Sequence, residues 1–195
     1  MGTRMIGVSI AVPEPHGSLL QQRRADFGDP AAHAIPTHVT LLPPTEVDAA
    51  VLDPFGAHLA EVARTCRPFP LRLAGTGTFR PLSPVVYVTL AEGGPECAAL
   101  QERVRSGPVA RELQFPYHPH VTVAHGVPEE ALDRAQRELA GYTACWTVTG
   151  FRLYEQGDDG VWGALRDYPF VRPSGPAPVV PQQQSGGVDA VEPVG

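Results

Sequence analysis

"HVTLL" at residues 38–42 returns as "HVTVA" at residues 120–124, and the expected fold can be built outward from these two segments. Both are short, apolar and rich in β-branched residues, which is typical of strands. Residues i and i+2 of a strand share a face, so His38 and Thr40 should project together while Val39 points to the core. For a single His-x-Thr pair, hydrogen bonding across a polar sheet face is the better explanation. Two copies in similar strand-like segments indicate a repeated structural unit.

The order of predicted elements after each copy is also similar. After the first copy we expect a helix at 46–66, an alternating strand at 69–79 and a strand at 84–90. After the second copy we expect a helix at 128–142 and strands at 145–156 and 161–168, joined at the end by a "GDDG" hairpin turn. The other predicted elements are strands at 5–12, 36–44 and 119–126 and helices at 16–28 and 95–114. The pattern predicts a duplicated, bilobal α+β fold, with two antiparallel sheets facing a central cleft and helices packed outside.

Composition divides the chain into a domain and a tail. Residues 1–170 contain the periodic segments, and we interpret them as one domain of two pseudo-symmetric lobes. Residues 171–195 are rich in proline, glycine and glutamine without periodicity, which predicts a disordered tail. A peptide ligand for a partner protein is the alternative interpretation of the tail.

Charge and cysteine content restrict the classes of function. The formal net charge is −6, whereas a protein that grips long duplex nucleic acid should be basic. A nucleotide or a short RNA end is the nucleic-acid partner that remains compatible with this charge. Three scattered cysteines suggest neither a disulfide framework nor a zinc motif. No segment resembles a signal peptide or a membrane span, so we expect a cytoplasmic monomer that does not bind membranes.

Two opposed His-x-Thr pairs suit acid/base chemistry on a phosphodiester. One neutral imidazole can take a proton from the attacking water, and the other, as imidazolium, can give one to the leaving oxygen. On this hypothesis His38 and His120 are the catalytic pair. The hydroxyls of Thr40 and Thr122 would donate hydrogen bonds to the non-bridging phosphate oxygens. This chemistry needs neither a metal nor another cofactor.

The motifs "HVTLL" and "HVTVA", in repeated α+β halves, resemble those of the 2H phosphoesterases, which include the 2′-5′ RNA ligases, also described as RNA 2′,3′-cyclic phosphodiesterases. The resemblance covers about residues 5–168. It implies a bilobal fold, the same roles for the two histidines and two threonines, and no need for metal or ATP. It also implies substrates such as cyclic phosphates at RNA ends, ADP-ribose cyclic phosphate or 2′-5′ linked nucleotides. The acidic net charge departs from the RNA-acting bacterial members, whose clefts are basic.

Four further residues are candidates for substrate contacts. His118 should share the face of His120, and Arg80 could bind phosphate through its forked guanidinium. Tyr87 and Trp162 occupy matching positions in the repeat and could stack on a base. For each residue the alternative is structural: an exposed strand entry for His118, a solvated loop for Arg80 and core packing for the two aromatic residues. Strand alternation places His125 on the opposite face, which argues against a zinc site with His118 and His120.

The sequence therefore predicts a metal-independent phosphoesterase that opens a 2′,3′-cyclic phosphate or hydrolyses a related phosphodiester. A non-catalytic module that binds nucleotides or RNA ends in the same cleft is the alternative. A scaffold that acts through its proline-rich tail is a third possibility.

Overall fold

The computed structural model describes residues 2–171, which form eight strands and four α-helices. The strands are β1 Thr3–Ala11, β2 His38–Asp48, β3 Phe69–Thr78, β4 Val85–Glu92, β5 His120–His125, β6 Thr143–Val148, β7 Gly150–Gln156 and β8 Trp162–Pro169. The α-helices are α1 His16–Asp26, α2 Leu52–Thr65, α3 Gly94–Arg105 and α4 Glu129–Glu138. Short 3₁₀ turns at Pro30–His33 and Ala49–Val51 precede β2 and α2.

The strands form two four-stranded antiparallel sheets. The strand order is β2-β1-β7-β8 in the first sheet and β5-β4-β3-β6 in the second. Each HVT segment thus begins an edge strand, and β2 contacts β5. The predicted α+β fold, with duplicated lobes and two sheets facing a cleft, is confirmed.

One apolar core joins the sheets and the helices. On α2 the buried positions Phe55, Leu59 and Val62 recur at helical spacing, so this helix buries one face against the sheets. Val39 of β2 and Val121 of β5 are both fully buried. The side chains between the histidine and threonine of each motif therefore anchor the two edge strands in the core.

Two predicted boundaries are wrong for physical reasons. We expected Pro43 and Pro44 to close the strand, but β2 continues through both to Asp48. An edge strand accepts proline because the missing N–H would not have been paired there. The segment 145–156 was predicted as one strand, but it splits at Thr149 into β6 and β7, which belong to different sheets. A Cβ at Gly150 would lie 2.6 Å from the carbonyl oxygen of Tyr168, so glycine permits the crossing.

The matching of Tyr87 with Trp162 is also wrong. Tyr87 lies on β4, between β3 and the HVT strand β5, whereas Trp162 lies on β8 at the far edge of the other sheet. The strand equivalent to β4 by sheet position is β1. There Ser9 faces Thr40 across the strand pair, as Tyr87 faces Thr122.

The predicted disordered tail falls, from residue 172 onward, outside the part of the chain that the structure describes. Within residues 2–171, no helix has the length and apolar character needed to cross a bilayer.

Candidate functional site

The cleft between the sheets contains both His-x-Thr pairs. His38, Thr40 and Thr122 line a cavity of about 180 Å³. His120 lines a wider groove of about 980 Å³, and Thr40 lies on the walls of both spaces. All four side chains are half-buried. The structure thus brings the predicted catalytic and phosphate-binding residues to one cleft.

The two histidines are held in the same way. Nδ1 of His38 donates to the carbonyl oxygen of Pro36 at 2.6 Å, and Nδ1 of His120 donates to that of His118 at 2.7 Å. A carbonyl oxygen can only accept, so each Nδ1 carries a hydrogen. The proton that each ring can exchange is therefore on Nε2, and the Nδ1 bonds fix the tautomer and orientation of the rings.

Burial lowers the pKa of both histidines. For His38 the hydrogen bond to Pro36 opposes this effect, and the positive charge of Arg24 lowers the pKa further. For His120 the hydrogen bond to His118 likewise raises the pKa, while the charges of His118 and His38 lower it. His38 is thus close enough to affect the charge of His120, and a doubly protonated pair is disfavoured over a singly protonated one.

An irregularity follows the threonine in both strands. Consecutive residues Val86 and Tyr87 pair with Ala124 and Thr122, which leaves Val123 as an extra residue in β5. In β2, consecutive residues of β1 pair with Leu42 and Thr40, which leaves Leu41 in the same position. Such β-bulges re-aim the side chains that follow.

The bulge in β5 overturns one expectation. Strict alternation placed His125 on the face opposite Thr122, but His125 lines the same cavity as Thr122. Even so, no group of three or more His, Cys, Asp or Glu side chains within residues 2–171 is arranged to hold a metal ion.

The small cavity also contains residues that the sequence did not single out. Arg24 of α1 lines it although only 5% of its side chain is exposed. The available signal was its spacing, because Arg24 follows the buried residues Gly17 and Leu20 on the inner stripe of α1. Trp162 lines the cavity too, and its ring lies 3.4 Å from the position of a Cβ on Gly7.

The larger groove has an aromatic wall beside His120. The Phe79 ring centroid is 5.0 Å from that of His120, and the exposed side chain of His118 also lines the groove. Tyr87 is buried, with ring centroids 5.2 Å from His120 and 5.3 Å from His118. The Tyr87 ring therefore packs against both imidazoles from the buried side of the groove. The hydroxyl of Tyr117 donates to the carbonyl oxygen of Thr40 at 2.8 Å and fastens the segment before β5 to β2.

The structure does not bring Arg80 to the cleft. Its guanidinium bonds Glu129 at 2.6 Å, Asp133 at 2.8 Å and Gln136 at 2.9 Å, all on α4. Two carboxylates already neutralise this arginine, so the expected phosphate contact is not supported by its position. Arg80 instead joins the β3–β4 turn to α4.

Comparison with known proteins identifies the family of the chain. The model of a family described as the 2′-5′ RNA ligase superfamily matches residues 12–160. A Bacillus thuringiensis protein named "Putative phosphoesterase" is 28% identical over 138 residues, covering 69% of this chain and 78% of that protein. A Bacillus cereus protein that is also named "Putative phosphoesterase" matches with the same identity and coverage.

Two solved structures share the fold. E. coli LigT complexed with 3′-AMP superposes with a TM-score of 0.63 at 19% identity, covering 87% of this chain and 99% of that one. TT0787 of Thermus thermophilus superposes with a TM-score of 0.59 at 23% identity, covering 85% and 97%. At these identities the likeness concerns the fold alone.

Proposed function

The chain belongs to the 2′-5′ RNA ligase superfamily of 2H phosphoesterases, and we propose that it is a metal-independent enzyme that hydrolyses a 2′,3′-cyclic phosphate or related phosphodiester of a nucleotide or RNA end. The observation that carries this proposal is the matched pair of imidazoles. Each is tied through Nδ1 to a backbone carbonyl, and each leaves Nε2 for proton exchange. The E. coli LigT complex with 3′-AMP supports a nucleotide-sized substrate.

In the proposed reaction a water oxygen attacks phosphorus while one ring P–O bond breaks. One neutral histidine accepts the water proton at Nε2, and the other, charged, donates its Nε2 proton to the leaving sugar oxygen. The product is a phosphomonoester, and the proton count of the pair is unchanged. The hydroxyls of Thr40 and Thr122 donate to the non-bridging oxygens and hold phosphorus between the rings.

Lowered pKa values suit this cycle. At neutral pH the lowered pKa keeps a buried imidazole neutral, so that it can act as a base, and repulsion within the pair disfavours protonation of both rings at once. The ring that carries the donated proton differs between the forward and the reverse reaction. Each histidine can therefore serve as either acid or base.

The test is turnover of a panel of nucleoside 2′,3′-cyclic phosphates in the presence of EDTA. His38→Ala and His120→Ala should each lower kcat by about 10²-fold or more, because each removes one proton-transfer group. His33→Ala is the matched control, since His33 is exposed on the 3₁₀ turn before β2 and should leave turnover unchanged. Undiminished turnover by either catalytic variant would contradict the mechanism. Tight binding without turnover by the wild-type protein would instead support the alternative, a nucleotide-binding module.

A further inference from the structure

The guanidinium of Arg24 is built into the wall of the small cavity. Its Nε donates to Oδ2 of Asp29 at 2.7 Å, and both side chains are almost fully buried, at 5% and 1% exposure. Oδ1 of Asp29 accepts from the backbone N–H of Ala31 at 2.8 Å. Gly28, with φ of 85°, adopts the left-handed conformation that turns the chain back from α1 toward Arg24. The Asp29 carboxylate therefore fixes one edge of the guanidinium, and its own position is fixed by the backbone N–H of Ala31.

The rest of the guanidinium is free to bind a ligand. An arginine has five N–H donors, and within residues 2–171 the bond to Asp29 is the only side-chain hydrogen bond that Arg24 makes. Unpaired donors of a buried cation are costly. Within residues 2–171, Tyr168 Oη is the only fully buried side-chain polar atom that lacks a hydrogen-bond partner. The terminal nitrogens of Arg24 also lack a partner, so they cannot be fully buried. Since Arg24 lines the cavity, they are reached from the cavity.

The charge of this wall favours an anion. Among the described residues that line the cavity, Arg24 is the sole arginine or lysine, and aspartate and glutamate are absent. His38, Thr40 and Thr122 line the same cavity, and the positive charge of Arg24 contributes to the lowered pKa of His38. A cation fixed beside uncharged hydroxyls is a suitable partner for phosphate oxygens, which the guanidinium fork can bind at two points.

We propose that Arg24, held by Asp29, is an anion-binding residue of this cleft that contacts phosphate oxygens of the substrate on the His38 side. The proposal rests on the proposed function for the identity of the substrate, but the affinity of the site for phosphate does not depend on turnover. The phosphate is either the group that reacts or a terminal phosphate elsewhere on the same nucleotide.

The first experiment measures the binding of inorganic phosphate by calorimetry, with wild-type protein and two single variants. Arg24→Gln should weaken binding by roughly 10- to 100-fold, the value of one charge-assisted contact. Arg23→Gln is the matched control, because Arg23 is the neighbouring arginine and pairs with Glu138 on the surface. Equal affinity of Arg24→Gln and wild type for phosphate would overturn the proposal.

A purely structural role of the buried ion pair must be separated from anion binding. The double variant Arg24→Met/Asp29→Asn removes both charges together, which a protein tolerates better than the loss of one partner. Asparagine also preserves the side-chain acceptor for Ala31. We expect this variant to fold and to lose phosphate affinity to the same degree as Arg24→Gln. Wild-type affinity in the folded double variant would show that Arg24 serves structure alone.

Kinetics then distinguish the two sources of phosphate. If Arg24 contacts the reacting group, Arg24→Gln lowers kcat/KM equally for a nucleoside 2′,3′-cyclic phosphate with and without a 5′-phosphate. If it contacts a terminal phosphate, only the 5′-phosphorylated substrate is affected, chiefly through KM. If the wild-type protein turns over neither substrate, the proposed function fails while the calorimetric result still decides the role of Arg24.

Discussion

In both His38 and His120, Nδ1 is hydrogen-bonded to a backbone carbonyl oxygen and Nε2 is left to exchange a proton. The Nδ1 bonds to Pro36 and His118 make each ring a rigid carrier of a single exchangeable proton. The carbonyl partner lies two residues before the histidine in both strands. This shared local geometry gives the two halves of the cleft the same chemical capacity.

Stability should fall with acidification because of these two residues. Their folded pKa values are lowered by burial, so below pH 6.5 the unfolded chain takes up protons that the folded protein resists. The two groups contribute nothing to the pH dependence well above that pH, and the folded state loses stability as pH falls through the ordinary histidine range. Chemical denaturation at pH 7.5 and 5.5 should show a smaller loss for the double variant His38→Gln/His120→Gln than for wild type. An equal loss would contradict the direction of the pKa shifts.

At this scale the sequence revealed the repeated residues better than the unique ones. His38 and Thr40 could be placed on one face because strand alternation is local. The sequence did not single out Arg24, because its role depends on two contacts that are not visible in the sequence. One is with Asp29, which the turn at Gly28 brings back to α1, and the other is with the cavity between the sheets. The ion pairs of Arg80 could not be predicted for a similar reason, since its carboxylate partners lie about 50 residues away on α4.

Among the elements, the paired bulges explain why two apolar residues follow each threonine. Leu41 and Leu42 are each 1% exposed, and Val123 and Ala124 are fully buried. Strict alternation would put the second residue of each pair on the cleft face with the threonine. A bulge is not visible in a pattern of apolar letters, so the sequence predicted the strands but not this change of direction.

The bulge in β2 makes a measurable prediction about Leu42. Leu42→Ala should lower the free energy of unfolding by about 2–5 kcal/mol, as expected for a leucine in a packed core. Leu165→Ala is the control, because Leu165 lies on β8 with 49% exposure and should change stability by less than about 0.5 kcal/mol. Urea titration measures both values, and a loss at Leu42 as small as that at Leu165 would show that the Leu42 side chain does not contribute to the packed core.

Over the whole molecule, the duplication is close in the HVT strands and weaker farther from them. Both motifs begin edge strands, and both carry a bulge at the same place. Yet one side of the cleft is a small cavity with a buried arginine, and the other is a wide groove beside an aromatic cluster. We infer that the common core performs the proton transfers and that the unequal flanks distinguish the two substituents of the phosphate.

The end of the domain can be argued from Phe170. Its side chain is 5% exposed and packs near Phe69 and Phe151, and its N–H donates to the carbonyl oxygen of Thr149 at 2.8 Å. Val171, the next residue, is 53% exposed. We therefore propose that the folded unit closes at Phe170, as the change in composition predicts.

A truncated chain ending at Val171 tests this boundary. It should keep the melting temperature of the 195-residue chain to within about 2 °C and its turnover unchanged, because Phe170 already closes the core formed by the described residues. In the 195-residue chain, Phe170→Ala should cost about 3–5 kcal/mol of stability, since it empties a site between Phe69 of one sheet and Phe151 of the other. Thermal melts of the three proteins decide between the alternatives. A truncated protein that melts many degrees lower, or loses activity, would place part of the 172–195 segment inside the functional domain.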